Sequence, residues 1–510
     1  MTSFTRPRGK ITTLTDIVSR DSQDNYLFPL DSTQTWFSDV NLHKSYTTSN
    51  SIQEWPYIGN ANWGGRFEFV LNKIQIGDLL RDVIFQFRLG HWYDNITISN
   101  MQNGYYSSIV QTQQALPWTY CNSLGTDIID YAELQIGDQT IERLTGEFIR
   151  VFYTLYPDIN TAFGLASDAI GEGNVSELQA NTGMYSPLRP WPTDRGIYFC
   201  VLPFFFSRVR LKETIPVLSC ADKSIRIIIK LKQFTDVVRI ADPSGSWVRE
   251  SCMDTPLGKT VTFNTSSIII PTVTIQTSQI IPPIQDVKIV TICPLVSDAL
   301  RLSYLQKPVE QLYKLVQNFS FDEPLKYLVS KPNASIDTIS IQLPLELNHP
   351  VQELIWVFRR KAVQINNEWN NFRPFVDAQF SPTRNFPEWL AYATLRINGS
   401  VVEEGPGSRY RYTTAQKHLG GLIAWSSYIY GYSFAEHPNL HRPSGTVNMS
   451  RSYSVSLNLT VNAPFNVPAS SEDLSGFGPE VSSGWEVHVF ALYYNWIRYE
   501  NGIANRIFSE

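Results

Sequence analysis

Four acidic residues close together in the first third of the sequence are the nearest approach to an acid/base pair. They are Glu133, Asp138, Glu142 and Glu147. Glycoside hydrolysis requires two facing carboxylates about 5–10 Å apart. These four fall on alternating strand and turn positions, where we expect most of them to face solvent. The pattern favours a structural role over catalysis.

Two histidines four residues apart, His437 and His441, have the spacing of metal ligands on one face of a helix. Pro438 and Pro443 make a helix there implausible, and the sequence offers no third ligand. His349 lies in an Asn-His-Pro turn, for which a structural role is the default. We therefore predict no metal site and no cofactor.

Two enzyme motifs are incomplete. Gly258-Lys259-Thr260 matches the end of a phosphate-binding loop, but Met253 stands where that loop requires glycine. The segment Gly431–Ala435 resembles a nucleophile elbow around Ser433, yet its last glycine is replaced and its surroundings are strand-like. We predict no catalytic residue.

The composition excludes several classes of protein. Charged residues make up 17% and aromatic residues 13% of the 510 residues, the opposite of a disordered chain. A net charge of -5 does not support wrapping nucleic acid as the main task. The longest apolar run, Ile197–Phe206, is shorter than the roughly 20 residues of a membrane helix. Residues 1–10 lack the apolar core of a signal peptide, so we expect a protein that does not enter the secretory route.

The aromatic and cysteine residues indicate buried surface. A sandwich rich in Trp and Tyr could stack sugars or bases, but aromatics more often fill cores and subunit interfaces. The number of cysteines is odd and none forms a C-x-x-C pair, which predicts buried free thiols rather than disulfides. The five are Cys121, Cys200, Cys220, Cys252 and Cys293.

The elements that position these residues are mainly β-strands. Polar and apolar residues alternate in Arg66–Phe69, and β-branched and aromatic residues fill Val83–Arg88 and Ser224–Lys230. Gly137-Asp138 predicts a type I′ hairpin. Pro203 suits an edge strand or a bulge. Helices are expected within residues 145–156 and 302–317.

These patterns divide the chain into four parts. Residues 1–25 form a polar N-terminal arm, residues 26–235 a first β domain, residues 236–285 a linker or insertion with short strands, and residues 286–510 a second β domain. The two β blocks have a similar plan, although their sequences are too different to establish a repeat.

Several segments, in order along the chain, resemble the double jelly-roll major capsid proteins of nucleocytoplasmic large DNA viruses. Segments of the first domain are Ile76–Leu80, Asn122–Gly125, Glu133–Ile141, Gly146–Phe148 and Leu202–Arg208. Segments of the second are Asn348–Val357, Leu395–Gly399, Tyr432–Ala435, His441–Arg451 and Ala491–Asn495. The resemblance implies an all-β fold of two consecutive eight-stranded antiparallel jelly rolls with long loops and a few short helices.

The resemblance also implies a function. Members form homotrimers with a pseudo-hexagonal outline that tile the icosahedral shell of the virion. Expected partners are further copies of the chain, neighbouring trimers, and minor capsid, cement and penton proteins, with no sequence-specific nucleic acid. Loops 91–120 and 157–196 would lie on the outer face. Arg6, Arg8 and Lys10 of the arm would lie at the inner face, against an anionic membrane or a minor capsid protein. Assembly is expected in the host cytoplasm.

Two other functions stay open on sequence alone. One is a carbohydrate-binding jelly roll or a minor capsid, penton or spike component, which would need an exposed aromatic platform. The other is a β-sandwich glycoside hydrolase, for which the sequence offers no convincing carboxylate pair. Mass in solution separates a trimer from a monomer that binds sugar.

Overall fold

The structure is a computed structural model of the chain. It describes 49–72, 75–89, 124–155, 197–208, 214–220, 224–241, 284–322, 338–360, 388–418, 428–439, 443–462, 485–500 and 502–508, with short pieces at 18–19, 21–23, 118–120, 247–248, 260–261, 264–265, 268–269, 273–274, 369 and 372.

The first half of the chain forms a sandwich of two four-stranded antiparallel sheets. This half of the chain contains the following strands, of which eight form the sandwich and nine form small separate sheets: β1 Ser49–Pro56, β2 Arg66–Leu71, β3 Leu79–Leu80, β4 Asp82–Leu89, β5 Trp118–Tyr120, β6 Ile129–Ile136, β7 Gln139–Thr145, β8 Ile197–Val201, β9 Ile215–Pro216, β10 Ile225–Leu231, β11 Val238–Ala241, β12 Trp247–Val248, β13 Thr260–Val261, β14 Asn264–Thr265, β15 Ile268–Ile269, β16 Val273–Thr274 and β17 Ile284–Leu295. One sheet has the order β1-β17-β4-β8 and the other β2-β10-β6-β7.

Strand β17 corrects the predicted boundary between the two β domains. It pairs with β1 over residues 288–295 and with β4 on its other side, so it is a central strand of the first sandwich. The boundary expected at residue 286 falls inside this strand. The first residues of β17 were assigned to the linker because they directly follow a Pro- and Ser-rich stretch, in which the start of a strand is hard to recognise.

The second half forms a second sandwich. Its strands are β18 Val309–Phe321, β19 Thr338–Pro344, β20 Pro350–Arg360, β21 Leu390–Ile397, β22 Ser400–Pro406, β23 Tyr430–Ser433, β24 Val447–Asn448, β25 Val455–Asn462, β26 Trp485–Glu500 and β27 Ile503–Arg506. One sheet has the order β18-β26-β20-β23, to which β24 and β27 add at β20 and β26. The other has the order β19-β25-β21-β22.

The two sandwiches repeat one topology. In each, the last long strand inserts between the first and a middle strand of one sheet: β17 between β1 and β4, and β26 between β18 and β20. The strand order of the other sheet also corresponds, as β2-β10-β6-β7 and β19-β25-β21-β22. This confirms the prediction of two consecutive eight-stranded antiparallel jelly rolls and reveals the repeat that sequence similarity could not establish.

Four α-helices of four or more residues lie in the described residues: α1 Leu124–Asp127, α2 Gly146–Leu155, α3 Asp298–Gln306 and α4 Gly407–Lys417. Helices α2 and α4 occupy the same place in the two jelly rolls, directly after β7 and β22. Each begins with a glycine packed against a carbonyl of the first residue of the neighbouring strand. A Cβ at Gly146 would lie 2.3 Å from the Ile129 oxygen, and one at Gly407 would lie 2.0 Å from the Leu390 oxygen.

Several local predictions are confirmed and two are wrong. Strands β2, β4 and β10 and helix α2 lie where expected, and edge strand β8 ends before Pro203. In the β6–β7 turn Gly137 has φ +66° but Asp138 does not have positive φ, so the turn is not type I′. The helix expected within residues 302–317 instead ends at Gln306, because residues from Val309 pair continuously with β26.

Aromatic side chains fill the cores, as the composition suggested. Among the largest fully buried side chains are Trp356, Trp389, Tyr430, Phe85 and Phe148. Buried residues of both jelly rolls belong to one continuous hydrophobic cluster. None of the helices in the described ranges is long and apolar enough to cross a bilayer. The predicted loops 157–196 and 463–484 lie outside the described residues, as does the predicted loop 91–120 except for Trp118–Tyr120, which form strand β5.

Candidate functional site at the contact between the two jelly rolls

The contact between the jelly rolls contains two networks of buried charged side chains. Helix α2 and strand β7 of the first jelly roll, together with the segment after β8, pack against the β18-β26-β20 part of the second. Phe148 of α2 packs against Phe490 of β26 with ring centroids 5.4 Å apart. Phe205 meets Tyr313 of β18 edge-on at 4.3 Å. These aromatic contacts make the surface largely apolar and exclude water from the charges within it.

One buried ion pair joins Glu142 and Arg208, whose side chains are 1% and 3% exposed. The other oxygen of Glu142 accepts a hydrogen bond from the Phe205 amide at 2.8 Å. Arg208 also donates to the Lys314 carbonyl of the second jelly roll at 3.0 Å and lies over the Phe148 ring. Because every partner is buried, this network fixes the segment after β8 against β18.

A second buried network centres on Arg359 of β20. Its Nη1 donates to Glu147 of α2 and its Nε donates to Glu486 of β26, both at 2.7 Å. Its guanidinium also lies over the Trp369 ring. One arginine therefore binds a carboxylate from each jelly roll.

The pKa values within this network reflect the pairing. Burial alone would raise the pKa of Glu147, but Arg359, Lys232 and His488 outweigh it and hold that pKa well below its usual range. Burial likewise opposes the charge of Glu486, but the neighbouring His488 and the charge of Arg359 lower its pKa to about 2. The network therefore carries its charges at neutral pH.

The expectation that most of the four acidic residues face solvent is wrong, because only Asp138 is exposed. Glu142 and Glu147 lie in the contact, whereas Asp138 is exposed in its turn and Glu133 pairs with the exposed Arg143 at 3.5 Å. Strand alternation cannot reveal this, because a second jelly roll covers the face that would otherwise meet water.

Sequence reasoning missed the arginines of both networks. Arg359 follows the apolar run Leu354–Phe358, and Arg208 ends the aromatic segment Leu202–Ser207. An arginine that closes a buried strand needs a carboxylate partner. The position of each arginine at the end of an apolar segment could therefore have predicted a buried ion pair. It could not have predicted which carboxylate is the partner.

The other candidate groups have structural contacts. His349 has φ +65°, and its ring stacks on Tyr493 and lies 3.2 Å from the Gln23 amide nitrogen. His437 lies outside any helix, and His441 is outside the described residues. The Ser433 hydroxyl lies in strand β23 and bonds the Ala435 backbone. Within the described ranges, no cluster of three or more His, Cys, Asp or Glu side chains could hold a metal ion.

A fully buried pair, Glu353 and His418, lies beside a surface pocket of the second jelly roll. Glu353 Oε2 and His418 Nε2 are 2.8 Å apart, and both side chains are at most 2% exposed. The pocket is also lined by Glu403, Arg409 and Lys417. The pair ties β20 to the end of α4, so its geometry is that of a link between elements.

Comparison with known proteins covers both halves of the chain. Residues 35–268 match the family described as the N-terminus of the major capsid protein, and residues 314–505 match the large eukaryotic DNA virus major capsid protein. A major capsid protein of Pyramimonas orientalis virus is 26% identical over 201 residues, which are 36% of this chain and 43% of that relative. The chain's match thus spans less than half the length of this curated relative.

Solved structures show the same fold. VP54 of PBCV-1 superposes with a TM-score of 0.59 at 16% identity, covering 93% of this chain and all of VP54. The Faustovirus major capsid protein superposes with a TM-score of 0.56 at 11% identity, covering 96% of this chain and 98% of its own. The two jelly rolls, the repeated topology and the family matches in both halves agree, and the chain belongs to the major capsid protein family of large eukaryotic DNA viruses.

Proposed function

We propose that the chain is the building block of the icosahedral shell of a large double-stranded DNA virus. Three copies would form a homotrimer with six jelly rolls and a pseudo-hexagonal outline, and the trimers would tile the shell. The observation that carries this proposal is the contact between the jelly rolls. Buried ion pairs and aromatic packing hold the two units as one body, so that a lattice can be built from rigid blocks.

The proposal includes a purely structural role. Of the carboxylates first considered for acid/base chemistry, Glu142 and Glu147 neutralise buried arginines and the half-buried Glu133 pairs with Arg143. Asp138 lies exposed in a turn. This supports an assembly protein rather than an enzyme. The virion capsid is its location, and assembly in the host cytoplasm is part of the proposal.

Mass in solution tests the oligomer. Light scattering on the purified chain should give three times its 58.2 kDa, and electron microscopy of assembling trimers should show hexagonal outlines. Obligate assemblies bury more than about 2,000 Å² per interface, so the trimer should persist on dilution. A stable monomer that binds sugar would overturn the proposal in favour of the carbohydrate-binding alternative.

We further propose that the N-terminal arm faces the shell interior. Arg6, Arg8 and Lys10 lie outside the described residues, but the base of the arm contacts the second jelly roll. Asp21 pairs with Arg451 at 3.2 Å, and Gln23 approaches His349. The basic arm would meet an anionic inner membrane or a minor capsid protein, while cement and penton proteins would contact the trimer elsewhere.

Deletion of residues 1–20 tests the arm. Trimers should form as before, because the deletion leaves both jelly rolls whole, whereas shell assembly should be impaired. Binding of purified trimers to vesicles containing phosphatidylserine, compared with neutral vesicles, separates a membrane partner from a protein partner. Normal assembly of the shortened chain would contradict this role.

A further inference from the structure

Three parts of the contact between the jelly rolls follow one another along strand β26. The Arg359 network meets β26 at Glu486, and the aromatic contact with α2 meets it at Phe490. The other buried network meets the paired strand β18 at Lys314, directly opposite Tyr494. From Glu486 to Tyr494 is eight residues, about 26 Å at a rise of ~3.3 Å per residue. The contact therefore has a charged network at each end and an apolar middle.

The apolar middle of the contact does not fix the angle between the jelly rolls. Hydrophobic contact is non-directional, so the rings of Phe148 and Phe490 allow one unit to rotate on the other. At the upper end of β26, the hydrogen bond from Arg359 to Glu147 joins one atom of each unit and permits rotation about itself. A further attachment at this end is needed to hold the angle.

The half-buried side chain of Trp369 makes such an attachment. Trp369 belongs to the second jelly roll, and its indole Nε1 donates to the Asp236 carbonyl of the first at 2.6 Å. The Lys232 ammonium of the first jelly roll lies 3.9 Å from the ring centroid, and the Arg359 guanidinium of the second lies 5.3 Å from it. Cations near an indole face are attracted by its π electrons, most strongly where water is excluded. One ring thus binds cations from both units.

Each side of this attachment is fixed to its own jelly roll. Three residues after Trp369, the carbonyl of the buried Phe372 accepts a hydrogen bond from Trp389 Nε1 at 2.8 Å. On the other side, the Lys232 amide donates to the Ile128 carbonyl at 2.9 Å. Rotation of one jelly roll on the other would therefore pull the indole ring away from the groups that bind it.

We propose that Trp369 is the positioning residue that fixes the angle between the two jelly rolls. It closes the Arg359 end of the contact, as Arg208 closes the other end, so that the aromatic contact between them cannot act as a pivot. In assembly, a ring of six jelly rolls closes only when this angle is the same in every copy. The inference rests on the proposed function for this role in assembly, whereas the angle itself is a property of one chain.

Pulsed electron paramagnetic resonance on the full chain tests the angle. Ketone-bearing residues at Val70 of the first jelly roll and Tyr392 of the second, which are 55% and 41% exposed, accept nitroxide labels that do not react with thiols. Mixing with an excess of unlabelled chain before assembly isolates the labelled copies from one another. The distribution of label-to-label distances should be narrow with Trp369 present and at least about twice as wide in Trp369→Ala, because the apolar middle then acts as a pivot.

Further variants separate positioning from general stability. Lys232→Met removes a cation from the ring and should also widen the distribution, whereas Lys232→Arg keeps a cation there and should preserve the narrow width. Tyr57→Ala is the matched control, because Tyr57 is half-buried and its ring packs on Phe67 within the first jelly roll at 4.8 Å. This control should lower the free energy of unfolding without widening the distribution.

The outcomes separate this inference from the proposed function. A distribution that is broad in the unmodified chain, unchanged in Trp369→Ala, or equally widened in Tyr57→Ala would overturn the positioning role, whether or not the chain forms trimers. If Trp369→Ala does not fold, Lys232→Met decides alone, since Lys232 is half-buried and its replacement leaves both cores intact. A monomeric unmodified chain with a narrow distribution would overturn the proposed function and support the fixed angle.

Electron microscopy of assembled particles tests the consequence for the shell. Particles formed from Trp369→Ala should be fewer and more varied in diameter than those of the unmodified chain, and Lys232→Arg particles should match the unmodified ones. Uniform particles from a Trp369→Ala chain with a widened distance distribution would overturn the role of the angle in assembly.

Discussion

At the scale of single residues, the contact between the jelly rolls depends on charges that water cannot reach. Arg359 holds one carboxylate from each unit, so neither unit satisfies it alone. Removing one partner of a buried pair leaves the other charge uncompensated, which costs more than the pair itself contributes. These residues therefore act mainly by specifying how the two units meet.

Glu147→Gln should destabilise the folded chain by about 3–5 kcal/mol, because it leaves the buried guanidinium of Arg359 with a single carboxylate. The measurement is the free energy of unfolding in urea at fixed protein concentration. Glu133→Gln is the matched control, since its partner Arg143 is 56% exposed and such pairs contribute about 1 kcal/mol or less. Equal losses in the two variants would contradict a special role for the contact.

The same network predicts a loss of stability in acid. The pKa values of Glu147 and Glu486 are lower in the folded chain than the unfolded-state value of about 4.3, so the unfolded chain binds more protons as the pH falls. The stabilisation is present above the unfolded-state value and is lost as the pH falls through about 2, the folded value of Glu486. Urea unfolding between pH 7 and pH 2 should show this decline, with a shallower slope in Glu147→Gln. An unchanged slope would contradict the assignment.

At the scale of elements, Gly146 and Gly407 fulfil the same steric requirement at the start of α2 and of α4. In both jelly rolls the helix begins so close to a neighbouring strand that its first residue has no room for a side chain. Because the obstacle is a backbone carbonyl, it cannot move aside as the end of a flexible side chain could.

Gly146→Ala and Gly407→Ala should each destabilise the chain by about 1–3 kcal/mol or more, as overpacking does. Gly405→Ala is the control, because a Cβ there would meet the flexible Arg409 side chain at 3.2 Å. Thermal unfolding of the three variants measures the difference. A loss at Gly405 as large as at Gly407 would contradict the steric explanation.

The sequence predicted an element correctly where the local pattern of polar and apolar residues determines it. It failed where pairing with a strand far along the chain determines the element. Alternation in Arg66–Phe69 defined β2, since one face of that strand meets the core and the other meets water. Residues 309–317 were read as possible helix because their partner, β26, lies far along the chain. The pairing of β17 and the burial of Glu142 and Glu147 also depend on residues far along the chain, so local patterns could not predict them. The family was predicted from motifs that occur in order along the chain.

At the scale of the whole molecule, one continuous core predicts one cooperative unfolding transition. Buried thiols can report on it. Cys200 lies in β8, Cys293 lies in β17, and Cys220 lies in the turn that packs against β26. Burial raises the pKa of Cys200 and Cys220 to about 12 and that of Cys293 to about 11, so the native thiols should be unreactive.

Alkylation at pH 8 followed by peptide mapping should label these three cysteines only as the chain unfolds, and at the same urea concentration. Ser49→Cys on the exposed start of β1 is the control and should be labelled in the native protein. Earlier labelling of Cys220 than of Cys200 would mean that the jelly rolls separate before either unfolds, which contradicts a shared core.

The position of β17 has a consequence for synthesis on the ribosome. The strand that completes the first sheet is translated long after β1 and β4, between which it inserts. Until residues 284–295 emerge, the edges of β1 and β4 that will receive β17 stay open, and open edges invite pairing with other chains. Nascent chains are therefore exposed to aggregation for much of their translation, and those interrupted before β17 lack a finished sandwich.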